Sequence, residues 1–253
     1  MTRREIIGIV GGMGPAAGID LFEKILRATN ARSDDEHLPV VMMSYPREIP
    51  DRTTFLLEGT GPNPADSIYT IIRNLESAGA SAVGIPCNTA HAPPILDVVK
   101  EQLANVGSGI RLISMIAETV THVAGVLPPG GQIGVLSTQA VRDLRIYAQP
   151  LSEAGFGIIR PSSEVQERLV TPAIFSRRFG LKAVNPPTDR ARQSVLEALQ
   201  HVTDRGAEAV ILGCTELPLA VPETEYRGWP LVDPTLLLAL ALIRATYPEM
   251  LAN

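Results

Sequence analysis

Short apolar runs alternate with longer stretches of helical period along nearly the whole chain. The runs at 6–10, 38–44, 82–86, 111–114, 133–136, 156–160 and 209–213 lack the in–out alternation of a half-exposed strand, which predicts strands covered on both faces. Between them, 16–30, 65–77, 93–103, 117–126, 141–153, 163–182 and 189–205 carry helical spacing, as at Leu21, Ile25 and Leu26. The proline- and glycine-rich stretch 45–63 predicts a long irregular loop, a common home for binding groups. A last extended piece at 231–234 leads into a helix reaching Tyr247. Strands separated by such helices imply parallel sheets built of βαβ units. Ligands of such sheets bind at the carboxyl ends of strands, where Gly12, Cys87, Ser137, Thr138 and Cys214 fall.

The pattern repeats. Gly79-Ala-Ser-Ala-Val-Gly-Ile-Pro-Cys87 is echoed by Gly206-Ala-Glu-Ala-Val-Ile-Leu-Gly-Cys214. Ile7-Gly-Ile-Val10 is echoed, in the same order along the chain, by Ile133-Gly-Val-Leu136. Similarity at one long offset is the mark of a duplicated half-domain, not a short solenoid. With Pro128-Pro-Gly-Gly131 as a composition break, the expected architecture is α/β. It has two pseudo-symmetric, doubly wound parallel-sheet domains, 1–115 plus 234–253 and 116–233, with the active site in the cleft between them.

Composition narrows the partners. A net charge of -5 argues against nucleic acid and anionic membrane surfaces. No apolar run is long enough to span a bilayer; 236–243 is the longest. Residues 1–5 are expected to enter the first strand directly, without a secretory leader. Two cysteines without such a leader suggest a reducing cytosol, so a cytoplasmic protein with free thiols. With aromatics at 4%, the core must be aliphatic.

The two cysteines, Cys87 and Cys214, carry the candidate chemistry. Inverting the α-carbon of an amino acid needs a base on one face and an acid on the other. Two thiols can serve, one as thiolate and one protonated, if strand-end or helix-start N–H groups lower a pKa. Asn88, Thr89, Thr138 and Thr215 are donors that could hold a substrate carboxylate as charge grows on it. Against this, a lone free cysteine is usually a small buried hydrophobe; the matched pair favours function. His91 either tunes Cys87 or satisfies a helix start. Glu216 either orients the surroundings of Cys214 or is a solvated helix-start acid. No metal is expected, since only His91 lies near a cysteine at ligand spacing. Gly12-Met-Gly14-Pro-Ala-Ala17 fits a loose dinucleotide pattern, but the second strand ends in Ser44-Tyr45-Pro46 instead of an acid.

The segments GGMGP at 11–15, IPDR at 49–52, PCNTAH at 86–91 and GCTEL at 213–217 together resemble the aspartate/glutamate racemase family, over essentially the whole chain. The resemblance implies a cofactor-independent enzyme acting on a small amino acid, commonly as a homodimer, with Cys87 and Cys214 as its acid/base pair. It assigns deprotonation of the D-enantiomer to Cys87 and of the L-enantiomer to Cys214. Further candidate substrate contacts are Gly12, Met13, Asn88, Thr89, Ser137, Thr138, Thr215 and Glu216, and the resemblance adds Arg52 and Lys182. Arg52 would meet the side-chain carboxylate. Lys182 matches a basic residue of the family's Lys-x-Gly segment, where this chain has Val184. Neighbouring possibilities are a broad-specificity or hydantoin racemase, a maleate-type isomerase, or a two-lobed binding protein that needs neither cysteine.

Overall fold

The computed structural model describes residues 5–252 of the chain; the expected path of residues 1–4 lies outside them. The chain divides into two compact units. One runs to Met115 and resumes at Thr235; the other is Ile116–Pro234.

In the first unit, β1 (Ile7–Gly11), β2 (Val40–Ser44), β3 (Ala82–Gly84) and β4 (Arg111–Ile113) form a parallel sheet in the order β2-β1-β3-β4. Every residue of β1 is buried, as a strand covered on both faces requires. Helices Pro15–Ala28, Pro64–Ser77 and Pro93–Asn105 each start on a proline, whose missing N–H costs nothing in a first turn. Asn63 caps the second by accepting from the Ala65 N–H at 2.9 Å.

In the second unit, β5 (Gln132–Ser137), β6 (Gly157–Ile159), β7 (Ala209–Gly213), β8 (Glu225–Tyr226) and β9 (Trp229–Val232) form the sheet β6-β5-β7-β9-β8. All its pairings are parallel except β8 with β9. That hairpin turns through Arg227 (φ 50) and Gly228 (φ 87), both left-handed.

The four parallel strands of each unit thus follow one order, β2-β1-β3-β4 and β6-β5-β7-β9, and the echo holds residue by residue. Ile7 pairs with Ala82, and their counterparts in the second repeat, Ile133 and Ala209, also pair. The Gly-Ala-x-Ala-Val motif has one structure in both places. Gly79 (φ 97) and Gly206 (φ 95) leave the preceding helix in the left-handed region. Gly79 N–H donates to the Glu76 carbonyl and Ala80 N–H to the Leu75 carbonyl, closing a Schellman turn. Gly206 and Ala207 repeat this with Thr203 and Val202. The next residue then joins the sheet, Ser81 N–H to the Ile6 carbonyl and Glu208 N–H to that of Gln132.

Several expected elements change. The helix expected at 141–153 is two short ones, Gln139–Asp143 and Ala148–Glu153, broken where Arg145 takes φ 55. The helix expected through 182 stops at Phe175, after a π turn at Gln166–Val170. The loop 45–63 contains a π turn of its own, Thr54–Glu58. The β8 strand had no apolar run to announce it, because turn chemistry, not burial, forms the hairpin.

A glycine in each central strand admits the helix packed above it. A Cβ on Gly8 would lie 2.8 Å from Val83 Cγ2, 3.0 Å from Ala80 Cβ and 3.4 Å from Leu75 Cδ1. On Gly134 it would lie 3.1 Å from each of Val210 Cγ2, Ala207 Cβ and Val202 Cγ2. The two sets of neighbours occupy equivalent positions of the two repeats. Gly8→Ala is therefore expected to cost about 1–3 kcal/mol by overpacking, and Gly134→Ala somewhat less. Urea unfolding with unchanged slope checks this; two neutral substitutions would refute the close-contact reading.

Candidate active site

Cys87 lies just beyond the end of β3, in a tight turn. Its N–H donates to the Ile85 carbonyl at 2.8 Å, and its own carbonyl accepts from Ala90 N–H at 3.2 Å. The thiol is free and 4% exposed. It belongs to one buried apolar cluster that also includes Met13, from the turn after β1, and Ile49, from the head of the 45–63 loop. Gly12 follows β1 at φ 100, where a Cβ would meet the backbone of Tyr45 and Pro46 at 3.0–3.1 Å. Asn88 is buried and Thr89 half-buried in the turn that follows Cys87. Arg52 is half-buried; its Nη1 donates to the Pro50 carbonyl at 3.2 Å, and its buried Nε has no partner among the described residues.

His91 is buried in the same turn and resolves its two readings. Met115 N–H donates to Nε2 at 3.2 Å, so the proton sits on Nδ1, which donates to the Cys87 carbonyl at 2.9 Å. The ring is a neutral strut between the Cys87 turn and the Met115 backbone, and it bonds the cysteine's main chain. Burial pushes its pKa down to about 4, with Lys100 adding to the effect against the Cys87 hydrogen bond.

Cys214, also free and 4% exposed, follows β7 directly. Its carbonyl accepts from Leu217 N–H at 2.9 Å, at the head of the short Leu217–Ala220 helix. Its thiol lies 3.1 Å from Glu216 Oε2 and donates to it. Glu216 is no solvated acid: it is 1% exposed, accepts from Thr215 Oγ1 at 3.2 Å, and pairs with Lys182 Nζ at 2.6 Å. Burial pushes its carboxyl up, but the Lys182 ammonium and the three donors more than offset this, leaving its pKa below the ordinary value. Burial first, and then the Glu216 charge, push the Cys214 thiol well up. This thiol rests protonated.

Lys182 reaches Glu216 through a turn. Leu181 and Lys182 N–H groups donate back to the Ala173 and Ile174 carbonyls. The turn closes so tightly that a Cβ on Gly180 would lie 2.5 Å from Ser176 N. The fold thus brings Lys182, Thr215, Glu216 and Cys214 together. Ser137 and Thr138 spend their hydroxyls locally, Ser137 on the Thr138 carbonyl at 3.3 Å and Thr138 on the Val141 N–H at 3.4 Å.

Two buried neighbours of the second-unit strand ends carried no sequence signal. Gln166 donates to the Ser137 carbonyl at 3.0 Å and is 2% exposed. Tyr147 packs where a Gly213 side chain would be, 3.2 Å away, and burial pushes its phenol up. Among the described residues no group of three or more His, Cys, Asp or Glu is arranged to hold a metal ion, and no helix is long and apolar enough to cross a membrane.

The family model for Asp/Glu/hydantoin racemase matches residues 10–242. The chain belongs to that family. It is 26% identical to an aspartate racemase from Picrophilus torridus, with a TM-score of 0.79 over 96% of this chain and 94% of that one. A broad-specificity amino-acid racemase, RacX of Bacillus subtilis, is 24% identical over 96% of this chain and 98% of its own length. A glutamate racemase from Beutenbergia cavernae is 25% identical over 66% of this chain, which spans 53% of that relative's length.

Two titrations follow. His91 binds its proton near pH 4 when folded and near 6.5 when unfolded, so the unfolded chain holds more protons between these values. Its contribution is complete above pH 6.5 and is lost as pH falls toward 4, by about 3 kcal/mol. Denaturation across that window should show a slope that His91→Gln flattens; parallel curves would refute it. In a Cys87→Ala background, Glu216→Gln should move the Cys214 titration to lower pH, read from thiolate absorbance. An upward or absent shift would contradict the charge coupling.

Proposed function

We propose that this family member is a cofactor-independent racemase interconverting L- and D-aspartate or glutamate, with Cys87 and Cys214 as its proton-transfer groups. One observation carries the reading: two halves with one strand order and one pairing register each present a single buried free thiol at equivalent positions past an equivalent strand. Chance burial of two cysteines has no reason to respect that equivalence.

In this reading each thiol works on one face of the substrate α-carbon. With a D-substrate, the Cys87 thiolate takes the α-proton and Cys214 gives its S–H proton to the opposite face. The resting Cys214, protonated and bonded to Glu216, is already in the donating form. With an L-substrate, Cys214 must first lose its proton, and Glu216 is the carboxylate placed to accept it. Lys182 holds Glu216 ionised for that step and adds positive charge near the acidic substrate. Arg52, with donor capacity left at Nε, is assigned to the side-chain carboxylate. Asn88, Thr89 and Thr215 lie beside the two sulfurs in sequence and supply donors where enolate charge grows. A soluble cytosolic homodimer completes the proposal.

The test is α-proton exchange by NMR in deuterated water, with L- and D-aspartate and glutamate supplied separately. Inversion with solvent deuterium at the α-carbon is expected for at least one pair. Cys87→Ala and Cys214→Ala should each lower inversion by about 10²–10⁴-fold. Inversion surviving in either variant would overturn the two-thiol mechanism. Binding of these amino acids without exchange would favour a binding protein.

A further inference from the structure

The second unit carries a concentration of positive charge that the racemase reading does not use. Arg142 lies in the last turn of the helix Gln139–Asp143, and Arg145 in the break before the helix Ala148–Glu153. Arg160 follows β6, and Arg205 sits at the turn after the helix Asp189–Thr203. Arg145, Arg160 and Arg205 line one open depression of about 450 Å³, with Phe156, Ile158 and Pro161 among its apolar walls. Neither cysteine, nor Glu216, nor Lys182 lines it.

The cluster is poorly neutralised. Among the described residues none of the four arginines makes an ion pair. No carboxylate lines the depression. The one acid coupled to Arg160, Asp143, accepts from Gln139 at both oxygens, each at 2.8 Å. Burial, then Arg142 and Arg145, pull the Arg160 pKa down, so these charges feel one another. In a chain of net charge -5, like charges gathered at one depression destabilise the fold unless something negative joins them. The backbone keeps them in place: Arg205 Nη1 donates to the Arg160 carbonyl at 2.6 Å, and Arg145 holds a left-handed φ of 55.

We propose that this depression is a binding site for a small organic polyanion, rich in phosphate or carboxylate groups, separate from the thiol chemistry. Guanidinium forks match both groups in geometry, and three around one depression exceed what a single carboxylate needs. The apolar walls take the organic part. Arg160 and Pro161 also line a narrow, more enclosed hollow of about 10 Å³, shared with Ser137, Tyr147 and Gln166. An anion held by Arg160 is therefore adjacent to the side chains that pack around the carboxyl ends of β5 and β7.

Thermal unfolding tests this with pyrophosphate and citrate as probes, against sodium chloride at matched ionic strength. At 100-fold excess over its Kd, the bound polyanion should raise Tm by about 5 °C or more. The larger shift of the two identifies phosphate or carboxylate as the preferred group. The double variant Arg145→Gln/Arg205→Gln, both exposed positions outside the thiol machinery, should fold normally and lose the shift. No shift in the parent beyond that of sodium chloride, or an equal shift in the variant, overturns the proposal. Neither outcome bears on α-proton exchange.

Discussion

The contact between a strand glycine and the helix-to-strand turn above it sets the geometry of each half. Gly8 admits Leu75, Ala80 and Val83; Gly134 admits Val202, Ala207 and Val210. Because the strand has no side chain there, the Schellman turn packs directly onto the sheet, and the residue after it joins the ladder at once. That fixes the register of β3 against β1 and of β7 against β5. A slip by one residue would reverse the faces of β3 or β7 and displace the turn that carries Cys87 or Cys214. The cysteines are thus located by a packing constraint that lies several residues before them.

On this common scaffold the two halves diverge in proton chemistry. The position of Glu216 is held by Thr89 in the first half, and that of His91 by Pro218 in the second. Only Cys214 donates to a buried carboxylate, and only the Cys87 turn is braced by a neutral histidine. A carboxylate beside a buried thiol favours its protonated form; the histidine brace holds the backbone of the Cys87 turn in place. In the proposed mechanism this inequality would give Cys214 a nearby carboxylate to which its proton can pass.

The arginine-lined depression belongs to the same logic of placement. Its residues come from separate stretches of the second unit, and no short motif announces them. Each alone reads as an ordinary surface arginine, and only the packing of β6 beside β5 collects them.

Much of the protein could be read from the chain. The unbroken apolar runs implied parallel strands, and the repeated Gly-Ala-x-Ala-Val implied two related halves, because helix exit at a left-handed glycine and strand entry on small residues are local requirements. The paired Cys87 and Cys214 were visible for the same reason: each follows its local motif at a fixed distance. What lay beyond sequence were interactions between distant segments. Whether Glu216 was solvated or buried depended on Lys182, far earlier in the chain, and on a turn tight enough to need Gly180. The tautomer and charge of His91 depended on the Met115 N–H, several turns of chain further on. The short β8 strand and the helix break at Arg145 came from turn conformations that apolar periodicity does not encode. Local backbone chemistry wrote the scaffold and its two thiols into the sequence. The protonation of Cys214, Glu216 and His91 was decided only when folding removed water and brought the partners within hydrogen-bond distance.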